Sequence, residues 1–157
     1  APDLAARVEA IVGPVGVAEK IREMSKGKNR TQLAFAVAET IIDGAFGLWS
    51  RDKTIEQAVR TGTAIITEGV LVAPTEGISA FKINKNQDGT DYLAIYYAGP
   101  IRGAGGTSAA LSVLLGDFAR RKLGIGEYRP TDTAVERYVE EIDLYDLRGA
   151  RLQYKPP

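Results

Sequence analysis

Apolar residues recur at helical spacing through the first half of the chain and at alternate positions after it. Leu4, Val8 and Ile11 fall at i, i+4 and i+7, and Gly13-Pro14 stops that run. Val17, Ile21 and Met24 repeat the spacing before a polar, mobile stretch from Ser25 to Arg30. Leu33, Ala36, Val37, Thr40 and Ile41 form a third stripe, ending near Gly44. Thr54 and Gln57 have capping-box spacing, and they open a helix through Ile55, Val59 and Ile66 to Gly69. The period then drops to two. Phe81 and Ile83 oppose Lys82 and Asn84 between Ile78 and Lys85, and Leu93, Ile95 and Tyr97 share one side of Asp91 to Ala98. Between the two strands, Asp88-Gly89 supplies the positive-φ position that a hairpin turn needs. A Gly-rich loop, Gly99 to Gly106, follows, and Thr107 is the expected N-cap of the next helix. Leu111, Leu114, Leu115 and Phe118 point inward from that helix, which Gly124 ends. A last helix opens at Thr131 or Thr133 with the stripe Val135, Tyr138, Val139, Ile142 and Tyr145. The expected class is α+β, a helix-rich N-terminal half followed by an antiparallel β-hairpin, a Gly-rich loop and two further helices.

Composition narrows the chemistry. The 157 residues contain no Cys and no His, so a disulfide framework, a thiolate or imidazole catalyst and an ordinary zinc site are excluded within them. Twenty basic and 20 acidic residues balance to zero, which argues against a free-standing nucleic-acid binder. No apolar run approaches the roughly 20 residues of a membrane span. The opening Ala1-Pro2-Asp3 lacks a basic leader, so a cytoplasmic protein is expected. The missing initial Met and the ending Gln153-Tyr154-Lys155-Pro156-Pro157 read as a piece of a longer polypeptide.

Three places invite a functional reading. The loop before Thr107 removes side-chain bulk, so backbone amides at Gly105 and Gly106, a helix N-terminus and Arg102 could together take a phosphate. The same glycines equally permit a tight turn packed on the sheet. Arg120-Arg121-Lys122 could follow a nucleic-acid backbone, or simply complement the C-terminal end of a helix dipole. Tyr92, Tyr96 and Tyr97 could stack on bases if exposed, but a half-buried strand favours packing. The carboxylates from Asp132 to Asp146 lie mostly away from the apolar stripe of the last helix and read as a solvated or partner-facing surface, not a metal site. Phe46 and Trp49, among glycines, look like a hydrophobic plug at a helix corner without function.

Tyr97-Ala98-Gly99-Pro100-Ile101-Arg102 with Ala104-Gly105-Gly106-Thr107 resembles the N-terminal region of the large subunit of archaeal family D DNA polymerases. Gln57 to Thr61, Thr67 to Val70, Pro74 to Ile78, Ala110 to Val113, Arg120 to Gly124, Glu136 to Tyr145 and Arg151 to Tyr154 extend the likeness. Gly103 stands where the family pattern leads us to expect Ser. The resemblance implies a full-length DNA-directed DNA polymerase that uses Mg²⁺, with structural Zn²⁺ elsewhere. It further implies a small partner subunit carrying a 3′–5′ exonuclease, a primer–template and a sliding clamp bound through other regions. None of the family's catalytic carboxylates or zinc ligands maps onto this chain. Residues 1–157 are therefore expected to be one non-catalytic accessory domain, helical over 1–72, that assists subunit assembly and borders the DNA. Two other readings stay open: a protein-interaction or oligomerisation module without nucleic-acid contact, and a stand-alone phosphate-binding enzyme.

Overall fold

The computed structural model describes residues 2–67, 78–97 and 106–131, the last stretch with side chains from Ala109 onward. Four helices come first: α1 (Leu4–Val12), α2 (Val17–Met24), α3 (Arg30–Ile42) and α4 (Arg51–Ile66). The strands β1 (Ile78–Lys85) and β2 (Asp91–Tyr97) pair antiparallel, and α5 (Gly106–Lys122) follows. This is the expected α+β arrangement. The loop up to Gly105, the acidic last helix and Gly69 lie outside the described residues.

Side-chain caps set the starts of α1 and α3, and two other starts differ from the sequence expectation. Asp3 caps α1 by accepting from the Ala6 amide at 3.0 Å. The stretch from Ser25 to Arg30 ends in a reciprocal capping box. The Gln32 amide donates to the Asn29 side chain at 2.8 Å, and the Asn29 amide donates to the Gln32 side chain at 3.0 Å. Thr54 and Gln57, by contrast, do not open α4. The helix begins three residues earlier, at Arg51, and Thr54 is buried one turn inside it. The Gln57 amide is used elsewhere, donating to the Val12 carbonyl at 2.9 Å and to the Thr61 hydroxyl at 2.8 Å. Thr61 in turn donates to the Gly13 carbonyl at 2.9 Å, so α4 pins the turn between α1 and α2.

α4 is the central element, packed against α1, α3, α5 and β1. Residues Thr61 to Ile65 are all buried, and four of these five are small. Small side chains let neighbouring backbones approach. At Gly62 an added Cβ would stand 2.8 and 2.9 Å from the two methyls of Leu115. Gly116 does the same for the sheet, where a Cβ would meet the Ile95 Cδ1 at 2.6 Å.

These contacts fix which face of α5 is inward. Ser112, Leu115 and Ala119 are buried, whereas Leu114, expected inside, is exposed with Val113. Phe118 is half-buried and meets Phe35 of α3 edge to face, ring centroids 5.4 Å apart. Leucines lie on more than one side of α5, so spacing alone did not select the buried face. Thr107 also lies within the helix, which already includes Gly106, so it is not the N-cap. At the other end Gly124 adopts φ +71, the Gly124 amide bonds the Arg121 carbonyl at 3.1 Å and the Ile125 amide bonds the Arg120 carbonyl at 2.8 Å. That is the double bond pattern of a Schellman end, and it buries Ile125.

The hairpin keeps the expected faces. Leu93, Ile95 and Tyr97 pack toward the core, and the register runs from Lys85 opposite Asp91 to Ile78 opposite Tyr97, with an irregularity between Ile78 and Ala80. Asp88 stabilises the turn by accepting from the Thr90 amide at 3.0 Å, with Gly89 at φ +87.

Candidate nucleic-acid interface

The sequence candidates occupy the two ends of α5. Arg102 and Gly105 lie outside the described residues, and Gly106 and Thr107 form the first turn. Arg120, Arg121 and Lys122 form the last turn. With a rise of 1.5 Å per residue, the ends of this helix are about 24 Å apart, so the candidates do not converge on one pocket.

The three basic residues differ in what they do. Arg120 is only 13% exposed and fastens the end of the helix: it pairs with Asp117 and Glu127 and donates to the Ile125 carbonyl at 3.2 Å. Lys122 reaches Glu39 of α3 at 2.7 Å and sits over the Phe118 ring. The Glu39 carboxylate raises the Lys122 pKa, so its charge is held firmly as it ties α5 to α3. Arg121 pairs with Asp117 at 3.0 Å but is 67% exposed, and it is the cation of the three most open to a ligand.

Lysines elsewhere are freer. Lys26, Lys28, Lys53 and Lys82 are exposed and make no ion pair among the described residues. Lys26 and Lys28 flank Gly27, at φ +71, in the turn between α2 and α3. The sequence marks this turn only as part of a polar, mobile stretch, and its one signal is the K-G-K run immediately before the capping residue Asn29.

A second feature without a sequence signal is Asn86. Its buried amide donates to the Thr90 hydroxyl at 2.9 Å and to the Glu127 carbonyl at 2.8 Å, and its carbonyl accepts from the Arg129 amide at 2.8 Å. The segment after α5 is thereby stitched to the hairpin tip, with Arg129 paired to Asp88 at 2.9 Å and Tyr128 against Tyr92. Tyr92 is thus used in packing, and Tyr97 bonds Ser112 of α5 at 2.9 Å while burial raises its pKa. Tyr96 is exposed. Among the described residues, no group of three His, Cys, Asp or Glu is placed to hold a metal ion, and no helix is long and apolar enough to cross a membrane.

Asp91 joins the hairpin to α4. It bonds Lys85 at 2.6 Å and Arg51 at 2.9 Å, and these partners, Lys85 first, hold its carboxyl below the usual carboxylate range. A folded-state pKa below the unfolded value contributes stability above the unfolded value, about 3.9, and that stability is lost as pH falls through the folded value. Denaturation of the wild type is accordingly expected to become easier as pH drops below about 4. Asp91→Asn should flatten part of that slope. Identical pH slopes for the two proteins, measured by urea unfolding, would show that Asp91 is not coupled to folding.

A family model described as "DNA polymerase II large subunit DP2, N-terminal" matches residues 1–157. The chain belongs to this family. It is 55% identical to the DNA polymerase II large subunit of Thermococcus kodakarensis, over 99% of this chain and 9% of that protein. The large subunit of Methanococcus maripaludis strain C5 is 53% identical, over 99% of this chain and 14% of its own length. That of Pyrococcus horikoshii is 55% identical, over 99% and 11%. The chain thus spans about a tenth of the length of these relatives, and the exposed Arg121 and the K-G-K turn are features of its surface.

Proposed function

We propose that this domain is a non-catalytic part of a replicative DNA polymerase, helping to assemble the large subunit and touching the DNA backbone. The observation that carries the reading is the match of the whole chain to the N-terminal domain of a polymerase large subunit. The chain's own inventory agrees, since it has neither His nor Cys to offer a zinc site or an imidazole base. In this reading the whole enzyme carries out template-directed synthesis with Mg²⁺, holds structural Zn²⁺ in other regions, and works in the cytoplasm. Its partners are a small subunit with 3′–5′ exonuclease activity and a sliding clamp.

For the backbone contact, the α5 N-terminus at Gly106 and Thr107, with Gly105 and Arg102, would take one phosphate, and Arg121 would supply a second contact about 20 Å away. Arg120 and Lys122 would add charge from within their ion pairs and hold that end of the helix in place.

The test is the salt dependence of primer–template binding by the full enzyme. Arg102→Ala and Arg121→Ala should each weaken binding across sequences and reduce the salt slope by about 1. If the Lys26→Ala/Lys28→Ala pair lowers the slope instead, the contact lies at the turn between α2 and α3. Slopes unchanged in all variants would remove the DNA contact. The second reading, an interaction module, would then remain, and it is favoured by the exposed Val113, which lines a groove with Leu93, Ile95 and Tyr97 bordered by Asp117 and Arg120, and by the exposed Leu114 next to it in α5. Co-purification of the domain with the small subunit would identify that role.

A further inference from the structure

At one end of the helical array two turns present apolar side chains to solvent. Val15, between α1 and α2, is 90% exposed, and Leu48, between α3 and α4, is 93% exposed. Trp49 is partly exposed beside it. The turns belong to one surface, because a Cβ at Gly16 would lie 3.8 Å from the Phe46 ring. They are also held firmly. Gln57 and Thr61 hold the Val12 and Gly13 carbonyls, Glu9 accepts from the Gly16 and Ala18 amides at 3.2 and 2.8 Å, and Thr54 bonds the Trp49 carbonyl at 3.4 Å. Gly44 at φ +91 and Gly47 at φ +140 shape the second turn so that Leu48 and Trp49 project. Exposed apolar side chains on a rigid frame are a preorganised contact surface, and Trp is a frequent anchor of such surfaces.

We propose that Val15, Phe46, Leu48 and Trp49 form the seat for an apolar surface elsewhere on the same large-subunit polypeptide. The proposal rests on the chain serving as a domain of a longer protein, as in its relatives, where it accounts for 9–14% of the length. Size decides between occupants. Four side chains cover a few hundred Å² at most, whereas a stable contact between separate chains buries about 800 Å² on each partner. A second copy, or an untethered partner, is therefore poorly served by this patch alone. A surface on the same polypeptide arrives at an effective concentration on the order of millimolar, for which a small apolar seat suffices.

The experiment uses the full-length large subunit, with no DNA present, so its outcome is independent of any backbone contact. Leu48→Cys places a thiol in the seat, and its alkylation by iodoacetamide is followed by mass spectrometry of the tryptic peptide 31–51. Circular dichroism checks that the variants, both at exposed positions, stay folded. The expected result is alkylation on the order of tenfold slower than in urea-unfolded protein, at any protein concentration, with fast alkylation restored by adding Val15→Asp. Four results would overturn the proposal: alkylation as fast as in the unfolded protein, protection that survives Val15→Asp, protection that grows with protein concentration, or protection that requires the small subunit. The last two would assign the seat to a second copy and to the small subunit respectively.

Discussion

Leu115→Ala is expected to destabilise this domain by about 2–5 kcal/mol, the range for deleting a buried leucine side chain beyond Cβ. Leu115 is 1% exposed and stands where α5 crosses α4, its methyls against the position a side chain would take at Gly62. The urea midpoint should fall with little change in the slope of the transition. Gly62→Ala alone sets two opposing effects against each other. Alanine gains about 1 kcal/mol in a helix, but a Cβ 2.8 Å from a buried methyl overpacks the crossing by about 1–3 kcal/mol. The combined Leu115→Ala/Gly62→Ala variant should lose distinctly less than the two single losses added, because the new methyl occupies space that the leucine vacates. Strict additivity would mean that α4 and α5 do not meet at these residues.

Asn86→Ala is expected to destabilise the hairpin end of the domain by about 1–3 kcal/mol. The alanine would remove the partner of the Glu127 carbonyl and the Arg129 amide, which belong to exposed residues and can turn to water, so the loss is that of net hydrogen bonds, about 0.5–1.5 kcal/mol each. The effect should be local as well as global. Hydrogen exchange at the Arg129 amide is expected to rise sharply, while amides in the middle of α4 follow only the change in overall stability. Unchanged exchange at Arg129 would show that the segment after α5 is held by something other than Asn86. Asn86→Asp separates the two halves of the contact, since a carboxylate can still accept from Arg129 but cannot donate to Glu127.

Much of the fold was readable because the relevant forces are local or periodic. Apolar spacing marked α1, α2 and α3, alternation marked both strands, and Asp88-Gly89 marked the turn. Where reading failed, two local signals competed or none existed. Thr54-x-x-Gln57 satisfies the chemistry of a capping box, yet tertiary contacts used both residues: Thr54 is buried beside Trp49, and Gln57 holds the turn after α1. Asn29 and Gln32 satisfy the same chemistry and were overlooked, although here the box forms. On α5, leucines on several sides made Leu114 as plausible as Leu115 for the core. Of the candidate site, the spacing placed Thr107 and Arg121 on one helix, but the separate tasks of Arg120, Arg121 and Lys122 depend on Glu127, Asp117 and Glu39. No pattern in the chain pairs residues 83 positions apart, as Lys122 and Glu39 are.

The sequence by itself determined the helices and the hairpin, the lack of imidazole and thiol chemistry, and the kinship with polymerase large subunits. These follow from residue types and short-range spacing, which act before the chain is packed. Only the tertiary structure decided that Gly62 and Gly116 are points of close approach, that Asn86 fastens the segment after α5, and that Val15 and Leu48 face solvent. Each of those depends on which surfaces meet, and that is settled by filling space and satisfying buried polar groups across the whole domain, not by any stretch of neighbours along the chain.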